Sequence, residues 1–208
     1  MNLQLFALLI RNMPFILGFM FSQTKRKIFA KWHALTYKPA PTQKVIVVIG
    51  ASFGGYSVAK ALSQMVPSTY KVVVIESSPQ FHYLFVFPRF CVVGGYEEKA
   101  FIPYEGYVQA SPVGSIEHLR GTVTAIEEKR VILDDGRSIE YNYLVCAMGS
   151  RMDEPWKMQG KEDEEGVKIL KEWQHRIAKA ENIGIVGGGA VGVGIPIHFE
   201  KADRRTRD

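Results

Sequence analysis

The sequence predicts an α/β fold with a parallel sheet of the Rossmann type and a small antiparallel β-meander. Residues 45–49 are five consecutive β-branched residues, which favour a buried parallel strand, and a glycine-rich turn and an amphipathic helix follow them. A second apolar run, residues 72–75, ends in Glu76, about twenty residues past the turn. Residues 122–141 alternate between apolar and polar side chains and contain an Asp-Asp-Gly turn, which is typical of a hairpin.

The turn at residues 50–55 is a predicted pyrophosphate site. The helix that follows it points free N–H groups and the positive end of its dipole at the turn. Ser52 takes the place of the middle glycine of G-x-G-x-x-G, where a small side chain still lets the backbone approach a phosphate and adds a hydroxyl donor. Glu76 lies where a carboxylate accepts hydrogen bonds from a ribose. A glycine turn also occurs as a plain connector, but this order of strand, turn, helix, strand and acid favours nucleotide binding.

The positive charge of the chain is concentrated in an N-terminal arm. The 208 residues, of which 47% are hydrophobic, allow one domain or one and a half. The formal net charge is +5, yet residues 1–44 contain seven Lys and Arg and no acid, while the rest carries 19 basic and 21 acidic residues. We therefore expect no nucleic-acid partner. A basic arm beside an apolar run indicates a membrane or an import machinery.

The arm and its linker occupy residues 1–42, and residues 1–32 are predicted to hold the protein on a membrane. Residues 3–21 are almost wholly apolar, but Arg11 lies in the middle and Pro14 would kink a continuous helix, so insertion is marginal. A span, a hairpin-like segment and an interfacial helix all remain open. The basic residues that follow suit the headgroups on the cytosolic face of a membrane, the mitochondrial outer membrane included. The alternative is a cleaved mitochondrial presequence, since acids are absent.

The two cysteines, Cys91 and Cys146, lie far apart and form no C-x-x-C pair. Their spacing argues against a disulfide-reductase mechanism, a disulfide framework and a zinc site. We expect both to be small apolar residues of the core, and we predict no metal site.

An aromatic loop, residues 81–90, follows the second predicted strand and contains the cation Arg89. Such a loop can line the binding site of a planar ligand, and Arg89 can bind the phosphate or ring oxygens of that ligand. The alternative is a loop that only folds over the edge of the sheet, and we expect His82 to be a hydrogen-bonded polar residue without an acid–base role. Residues 143–150 predict another buried strand, which ends in a glycine turn at the same edge as Gly50.

Taken in order, these features resemble the flavoprotein oxidoreductases with two dinucleotide-binding domains. Residues 43–193 are similar to the apoptosis-inducing-factor-like NAD(P)H:quinone reductases and their type II NADH dehydrogenase relatives. The similarity rests on the glycine turn, the strand ending in Glu76, the aromatic loop, the meander and the Tyr-x-Tyr-Leu-Val-x-Ala-x-Gly-Ser strand. The resemblance implies a Rossmann-like FAD-binding domain at residues 43–160. It also implies an enzyme that passes electrons from NAD(P)H through FAD to a quinone or another small acceptor. No catalytic acid or base is expected, because the cofactor carries the chemistry.

The resemblance also implies which residues contact FAD. The family strand ends in Ala-Thr-Gly, and Met148 stands at the threonine position, which removes a hydroxyl near the pyrophosphate. Arg89 would lie near the flavin, Val123 at the adenine through its backbone, and Gly149 at the returning turn. The expected contacts are Gly50, Ala51, Ser52, Phe53, Gly54, Gly55, Glu76, Arg89, Val123 and Gly149.

A second glycine turn matches G-x-G-x-x-G fully, at Gly187, Gly189 and Gly192. It follows an apolar run, residues 183–186, that predicts a strand. In the family this turn opens the domain that binds NAD(P)H, so residues 161–208 would be the start of a second Rossmann unit.

The family pattern is expected to stop at Val193. The next residues, Gly194-Ile195-Pro196, break a helix, and a charged stretch without apolar periodicity follows. We therefore expect an incomplete NAD(P)-binding domain, an exposed apolar face before the second turn, poor order over residues 194–208, and an inactive chain.

Two other functional classes are weighed against the reductase. One is a non-catalytic, membrane-anchored FAD-binding or interaction fragment. The other is a flavin enzyme with a single glycine turn, against which the second turn argues. The electron acceptor, the choice between NADH and NADPH, and the presence of a homo-oligomer are left open by the sequence.

Overall fold

The computed structural model describes residues 3–158 and 162–205. The predicted segments 1–42, 43–160 and 161–208 therefore each include residues outside the described part of the chain. The described helices are α1 (Leu3–Thr36), α2 (Phe53–Ser63), α3 (Phe87–Phe90), α4 (Glu105–Gln109), α5 (Asp163–Ala178) and α6 (Ala190–Arg205). The described strands are β1 (Lys44–Ile49), β2 (Tyr70–Glu76), β3 (Gln80–His82), β4 (Phe101–Pro103), β5 (Ile116–Arg120), β6 (Val123–Ile126), β7 (Arg130–Leu133), β8 (Ser138–Glu140) and β9 (Tyr143–Cys146).

Four parallel strands form the central sheet, in the order β5-β2-β1-β9. The two middle strands are largely buried because they are runs of Val and Ile, as the sequence predicts. The register pairs Ile49 of β1 with Ile75 of β2 and with Cys146 of β9. The predicted parallel α/β fold is thus confirmed, and the carboxyl ends of these three strands meet at one edge.

Different layers cover the two faces of the sheet. Successive residues of a strand point to opposite faces, so Val48 packs in one layer and Val47 in the other. On the first face, α2 contributes Ala59. On the second face, the antiparallel sheet β6-β7-β8 contributes Val131 and Leu133. This antiparallel sheet is the predicted meander, which is confirmed.

β9 is an edge strand and not the buried strand that the sequence predicts. Tyr143 at its start and Cys146 at its end are exposed, and β1 is its one neighbour among the described strands. The prediction of a core cysteine is therefore wrong for Cys146 and right for Cys91, which is buried, and both thiols are free. Burial raises the pKa of the Cys91 thiol to about 12, so the thiol stays neutral at ordinary pH.

α5 shares an apolar cluster with elements from the first part of the chain. Ile169 and Leu170 of α5 pack with Phe87 and Phe101. Gly166 lies so close to Phe101 that a side chain at this position would come within 2.4 Å of the ring. α5 therefore packs directly on α3 and β4. The boundary between the two predicted domains stays a prediction.

The N-terminal arm is a single helix, α1, which continues through Pro14. Its last turns touch the folded domain: His33 is buried, and its Nε2 lies 2.8 Å from the carbonyl oxygen of Val66. The linker is held as well, because the Tyr37 hydroxyl donates to the carbonyl oxygen of Tyr70 at 2.9 Å. No helix in the described part of the chain combines the length and the apolar character that crossing a bilayer requires.

The segment before the second glycine turn is not a strand, so that prediction is wrong. Residues 183–186 have no regular structure, since no described strand pairs with them, and the apolar side chains of Ile183 and Val186 are exposed as expected. The expected break at Pro196 is also wrong, because α6 runs through it. α6 lies against α3.

Leu170→Ala should lower the free energy of unfolding by about 2–5 kcal/mol, because it empties a site in the cluster where the side chain is fully buried. Lys168→Ala, on the exposed face of the same helix, is the control and should change that free energy by less than about 0.5 kcal/mol. Urea denaturation followed by circular dichroism measures both. Equal stabilities for the two variants would show that α5 does not share a core with the first part of the chain.

Candidate dinucleotide-binding site

A cleft opens at the carboxyl edge of the parallel sheet. It lies where β1, β2 and β9 end, and the meander and the aromatic loop contribute residues to its lining. Of the predicted cofactor contacts, Gly50, Ser52, Glu76 and Val123 line the cleft.

Gly50 lets three strands meet at this edge. Its φ is +91°, and a Cβ at this position would lie 2.6 Å from the carbonyl oxygen of Ala147. The Gly50 N–H donates to the carbonyl oxygen of Ile75, and the Ala147 N–H donates to that of Ile49, both at 2.8 Å. Backbone conformation and lack of space both exclude a side chain, so the turn requires glycine.

Gly55 lets α2 approach the same turn. A Cβ at Gly55 would lie 1.8 Å from the carbonyl oxygen of Gly50, whereas a Cβ at Gly54 would meet open space. α2 begins at Phe53 with Ser52 as its N-cap, and the Ser52 side chain makes no capping hydrogen bond. The first N–H groups of α2 thus stay available, and with the helix dipole they favour an anion such as a pyrophosphate.

Glu76 ties the end of β2 to the turn. Its Oε2 accepts a hydrogen bond from the N–H of Ala51 at 2.6 Å, and its Oε1 accepts from the N–H of Ser78 at 2.9 Å and from the hydroxyl of Ser77 at 3.1 Å. An ionised carboxylate has about four acceptor positions, so these three donors leave room for a ribose hydroxyl. The structure adds a structural role for Glu76, and the ribose contact stays a prediction.

The meander forms the opposite wall of the cleft. The N–H of Gly121 donates to the carbonyl oxygen of Glu76 at 3.0 Å, and a Cβ at Gly121 would lie 2.6 Å from the side chain of Leu133. This close approach brings Thr122 and Val123 into the lining. Val123 therefore lies at the cleft, and its backbone contact with an adenine stays a prediction.

The aromatic loop is both a wall of the cleft and a cover of the turn. His82 and Leu84 line the cleft, while Phe81 packs on Phe53 at the start of α2, with 4.9 Å between the ring centroids. Tyr104, which lines the cleft as well, donates from its hydroxyl to the carbonyl oxygen of Ala51 at 3.3 Å. Burial, and then the nearby Glu76 and Tyr107, raise the pKa of Tyr104, so it stays a donor at ordinary pH.

One ring nitrogen of His82 lacks the hydrogen bond that is expected of a buried polar residue. It is buried, and its Nε2 has no hydrogen-bond partner in the described part of the chain. Its ring meets that of Phe101 edge to face, with centroids 5.1 Å apart, so its surroundings are aromatic and offer no acceptor there. Burial lowers the pKa of His82 more than the Glu76 carboxylate raises it, and the ring is therefore neutral at pH 7.

Lys157 is a cleft residue that the sequence analysis missed. Its Nζ donates to the carbonyl oxygens of Ser150 and Met148, the latter at 3.5 Å, and so lies beside Gly149 on the returning turn. A cation here suits a phosphate or an electron-rich ring. No motif surrounds Lys157 in the sequence, and only the fold brings it to the cleft.

Arg89, in contrast, is not among the residues that line the cleft. It lies in the short helix α3, within the aromatic loop. The cation that lines the cleft is Lys157, and the flavin contact of Arg89 stays a prediction.

The second glycine turn has the same internal geometry as the first. Gly187 has a φ of +104°, and a Cβ at Gly192 would lie 2.2 Å from the carbonyl oxygen of Gly187, much as Gly55 approaches Gly50. A Cβ at Gly189 would meet open space. The close approach of helix to turn is thus present at both turns, although the run before the second turn is not in a sheet.

The sequence model of the pyridine nucleotide-disulphide oxidoreductases matches residues 44–206. The chain belongs to this family. The match confirms the resemblance, and it continues past Val193, so the expectation that the family pattern stops there is wrong. The family is one of FAD-dependent oxidoreductases with NAD(P)H as electron donor.

Curated relatives and solved structures agree with this family. Fe-regulated protein 8 of Mycosarcoma maydis is 36% identical over 171 residues, which cover 73% of this chain and 43% of that protein. Apoptosis-inducing factor homolog A of Dictyostelium discoideum is 32% identical over 174 residues, or 82% and 40% of the two chains. The sulfide:quinone oxidoreductase of Aquifex aeolicus shares the fold, with a TM-score of 0.57 at 23% identity over 77% of this chain and 40% of that one. The chain spans about two fifths of the length of these relatives.

Gly55→Ala should lower the free energy of unfolding by about 3 kcal/mol, because the new methyl group meets the carbonyl oxygen of Gly50. Gly54→Ala is the matched control: its side chain enters open space on a helix, where alanine is more favourable than glycine by up to about 1 kcal/mol. Urea denaturation should thus move the two midpoints in opposite directions. A Gly55→Ala variant as stable as Gly54→Ala would contradict the close approach.

Proposed function

We propose that this chain carries the FAD-binding part of an NAD(P)H oxidoreductase. The observation that carries the proposal is the convergence, at one cleft, of a turn without side chains, the start of α2 and Glu76. Together they offer N–H donors to a pyrophosphate and an acceptor to a ribose, which are the groups that a dinucleotide requires. Membership of the family supports the same cofactor.

We propose FAD at the first turn and NAD(P)H at the second. The first turn lies beside the meander and the aromatic loop, both of which contribute residues to the lining of the cleft. The second turn has the helix and the glycines, but the run before it pairs with no described strand. The proposed FAD contacts are Gly50, Ala51, Ser52, Phe53, Gly54, Gly55, Glu76, Arg89, Val123 and Gly149, to which we add Lys157, and the proposed NAD(P)H contacts are Gly187, Gly189 and Gly192.

The chemistry that FAD supplies when bound is the acceptance of a hydride from NAD(P)H and the release of electrons to an acceptor. The chain's own residues then bind and orient: the turn holds the phosphates, Glu76 holds a ribose, and Lys157 places a positive charge at the mouth of the cleft. No side chain needs to transfer a proton. We propose a quinone or another small molecule as the acceptor, on the basis of the sequence resemblance.

A non-catalytic, membrane-anchored FAD-binding or interaction fragment is the second candidate. The exposed apolar run at residues 183–186 favours it, because this run is the one that would pair in the sheet of a nucleotide-binding domain. An unpaired run leaves the second turn without the strand that would hold it.

We also propose that residues 1–32 associate with a membrane, with the cleft on the cytosolic side. The exposed apolar side chains of α1 and its acid-free basic flank support this, while residues 1 and 2 lie outside the described part. The mitochondrial outer membrane is one such location, and a location inside mitochondria is the alternative. A homo-oligomer through α1 is a further way to cover the same side chains.

Purified protein, reconstituted with FAD and then denatured, should release about one FAD per chain, because the cleft has the donors and the acid that retain a dinucleotide. Fluorescence of the released flavin measures it. Binding of NADH in place of FAD under the same conditions would overturn the assignment of the first turn.

Variants of Lys157 and Arg89 test in the same assay which cation contacts FAD. Lys157→Ala should weaken FAD binding by about tenfold, the loss of one charge-assisted hydrogen bond of about 1.4 kcal/mol, because Lys157 lies at the cleft. Arg89→Ala tests the proposed flavin contact of a residue that lies outside the lining. An unchanged FAD affinity in Arg89→Ala would remove that contact, and an unchanged affinity in Lys157→Ala would remove the role of Lys157.

Residues 1–208 expressed by themselves should show no NAD(P)H-dependent turnover above that of free FAD. Hydride transfer needs the reacting atoms about 3–3.5 Å apart, and the run before the second turn pairs with no described strand that would hold the turn at that position. NADH oxidation with a soluble quinone as acceptor measures the turnover. Rates in the ordinary enzyme range, about 1–10³ s⁻¹, would contradict the prediction and the second candidate together.

A further inference from the structure

The C-terminal end of α1 is fixed to the folded domain by several contacts. His33 is buried with its Nε2 at 2.8 Å from the carbonyl oxygen of Val66. The Tyr37 hydroxyl donates to the carbonyl oxygen of Tyr70 and accepts a hydrogen bond from Nε2 of Gln43 at 2.8 Å. α1 is therefore a continuation of the domain and not a tether.

This attachment and the cofactor cleft lie at opposite ends of the sheet. Tyr70, which contacts the linker, begins β2, and Glu76, which lines the cleft, ends it. At about 3.3 Å per residue, the seven residues of β2 separate the two ends by roughly 20 Å. A partner bound along α1 can thus leave the cleft open.

The exposed side chains of α1 define the first property of its partner. Between residues 10 and 21 the large apolar side chains are exposed, and Phe15 and Phe21 are 77% and 64% exposed. A continuous apolar surface of this kind marks an interaction site, and its partner must be apolar as well.

The charges of α1 define the second property. Lys25, Arg26, Lys27 and Lys31 follow the apolar stretch, and residues 1–44 contain no acid. The Lys25 Nζ lies over the ring of Phe21 at 4.5 Å, so the cation stands directly beside the apolar surface. A second copy of α1 packed in parallel would bring like charges together, and one packed antiparallel would set cations against an apolar stretch, whereas an anionic bilayer offers both acyl chains and negative charge.

The end of α2 takes part in the same surface. Lys25, Arg26 and Phe29 of α1 form a groove with Gln64 and Met65 at the end of α2. Met65 is 60% exposed, although it belongs to the folded domain. The groove thus combines two cations with an apolar floor, which suits the phosphate and the upper acyl chain of a phospholipid.

We propose that α1 and the end of α2 form one docking surface for an anionic phospholipid bilayer, with a lipid phosphate held by Lys25 and Arg26 and with Met65 in contact with the lipid. This rests on the membrane association proposed above, and it adds the lipid class and the part of the folded domain that meets the membrane. Because α1 is fixed at the amino end of the strands, the cofactor cleft stays away from the lipid surface.

The test is flotation of the FAD-reconstituted full chain with vesicles of phosphatidylcholine, or of equal parts phosphatidylcholine and phosphatidylserine. The chain should bind the anionic vesicles more tightly. The double variant K25Q/R26Q should lose about 30-fold in affinity for them, since each basic residue at the surface contributes about 1 kcal/mol. K25R/R26K should bind as the unchanged chain does, and K168Q/K179Q, with the same charge change on α5 and its C-cap, is the control that should bind normally.

A second pair of variants tests the part of the surface that belongs to the folded domain. Met65→Asp should weaken vesicle binding several-fold, whereas Met152→Asp, at another exposed methionine, should not. Equal binding to both kinds of vesicle, or normal binding by K25Q/R26Q or by Met65→Asp, would overturn the proposal. Self-association without vesicle binding would assign α1 to a second copy instead. FAD content is measured in the same samples: its loss with intact vesicle binding would count against the proposed function and not against the docking surface.

Discussion

The rest of the structure depends on one close approach, that of the Gly55 α-carbon to the carbonyl oxygen of Gly50. There is no room for a side chain between them, nor between Gly50 and the Ala147 carbonyl oxygen. This contact brings α2 onto the ends of β1 and β9, and the hydrogen bond from Gly50 to Ile75 adds the end of β2. The three strands and the helix therefore meet at one place, and the cleft is the space that remains above them.

Glu76 makes that place suitable for a nucleotide and also holds it together. Its carboxylate accepts hydrogen bonds from the turn and from the loop after β2, and its carbonyl oxygen accepts one from Gly121 at the start of the meander. A residue that joins three segments through its own acceptors leaves little freedom in their arrangement. The walls of the cleft are thus ordered before a ligand binds, which reduces the conformational entropy lost on binding.

The sequence predicts those features that depend on neighbours along the chain. The glycine turn, the acid that ends β2 and the meander follow from local patterns, and the structure contains all three. The position of Lys157, the unpaired Nε2 of His82 and the exposed edge of β9 depend on packing between distant segments, which no local pattern records. α6 shows the same limit, since Pro196 argues for a break and the helix nevertheless continues through it, beside α3.

Amide hydrogen exchange with and without FAD tests the central claim, that the turn after β1 holds the cofactor through the free N–H groups of α2. FAD should slow exchange at residues 53–55, whose amides lie in the uncapped first turn of α2, and should leave residues 187–192 unchanged. Protection confined to residues 187–192, or no difference at residues 53–55 in protein that retains FAD, would contradict the account.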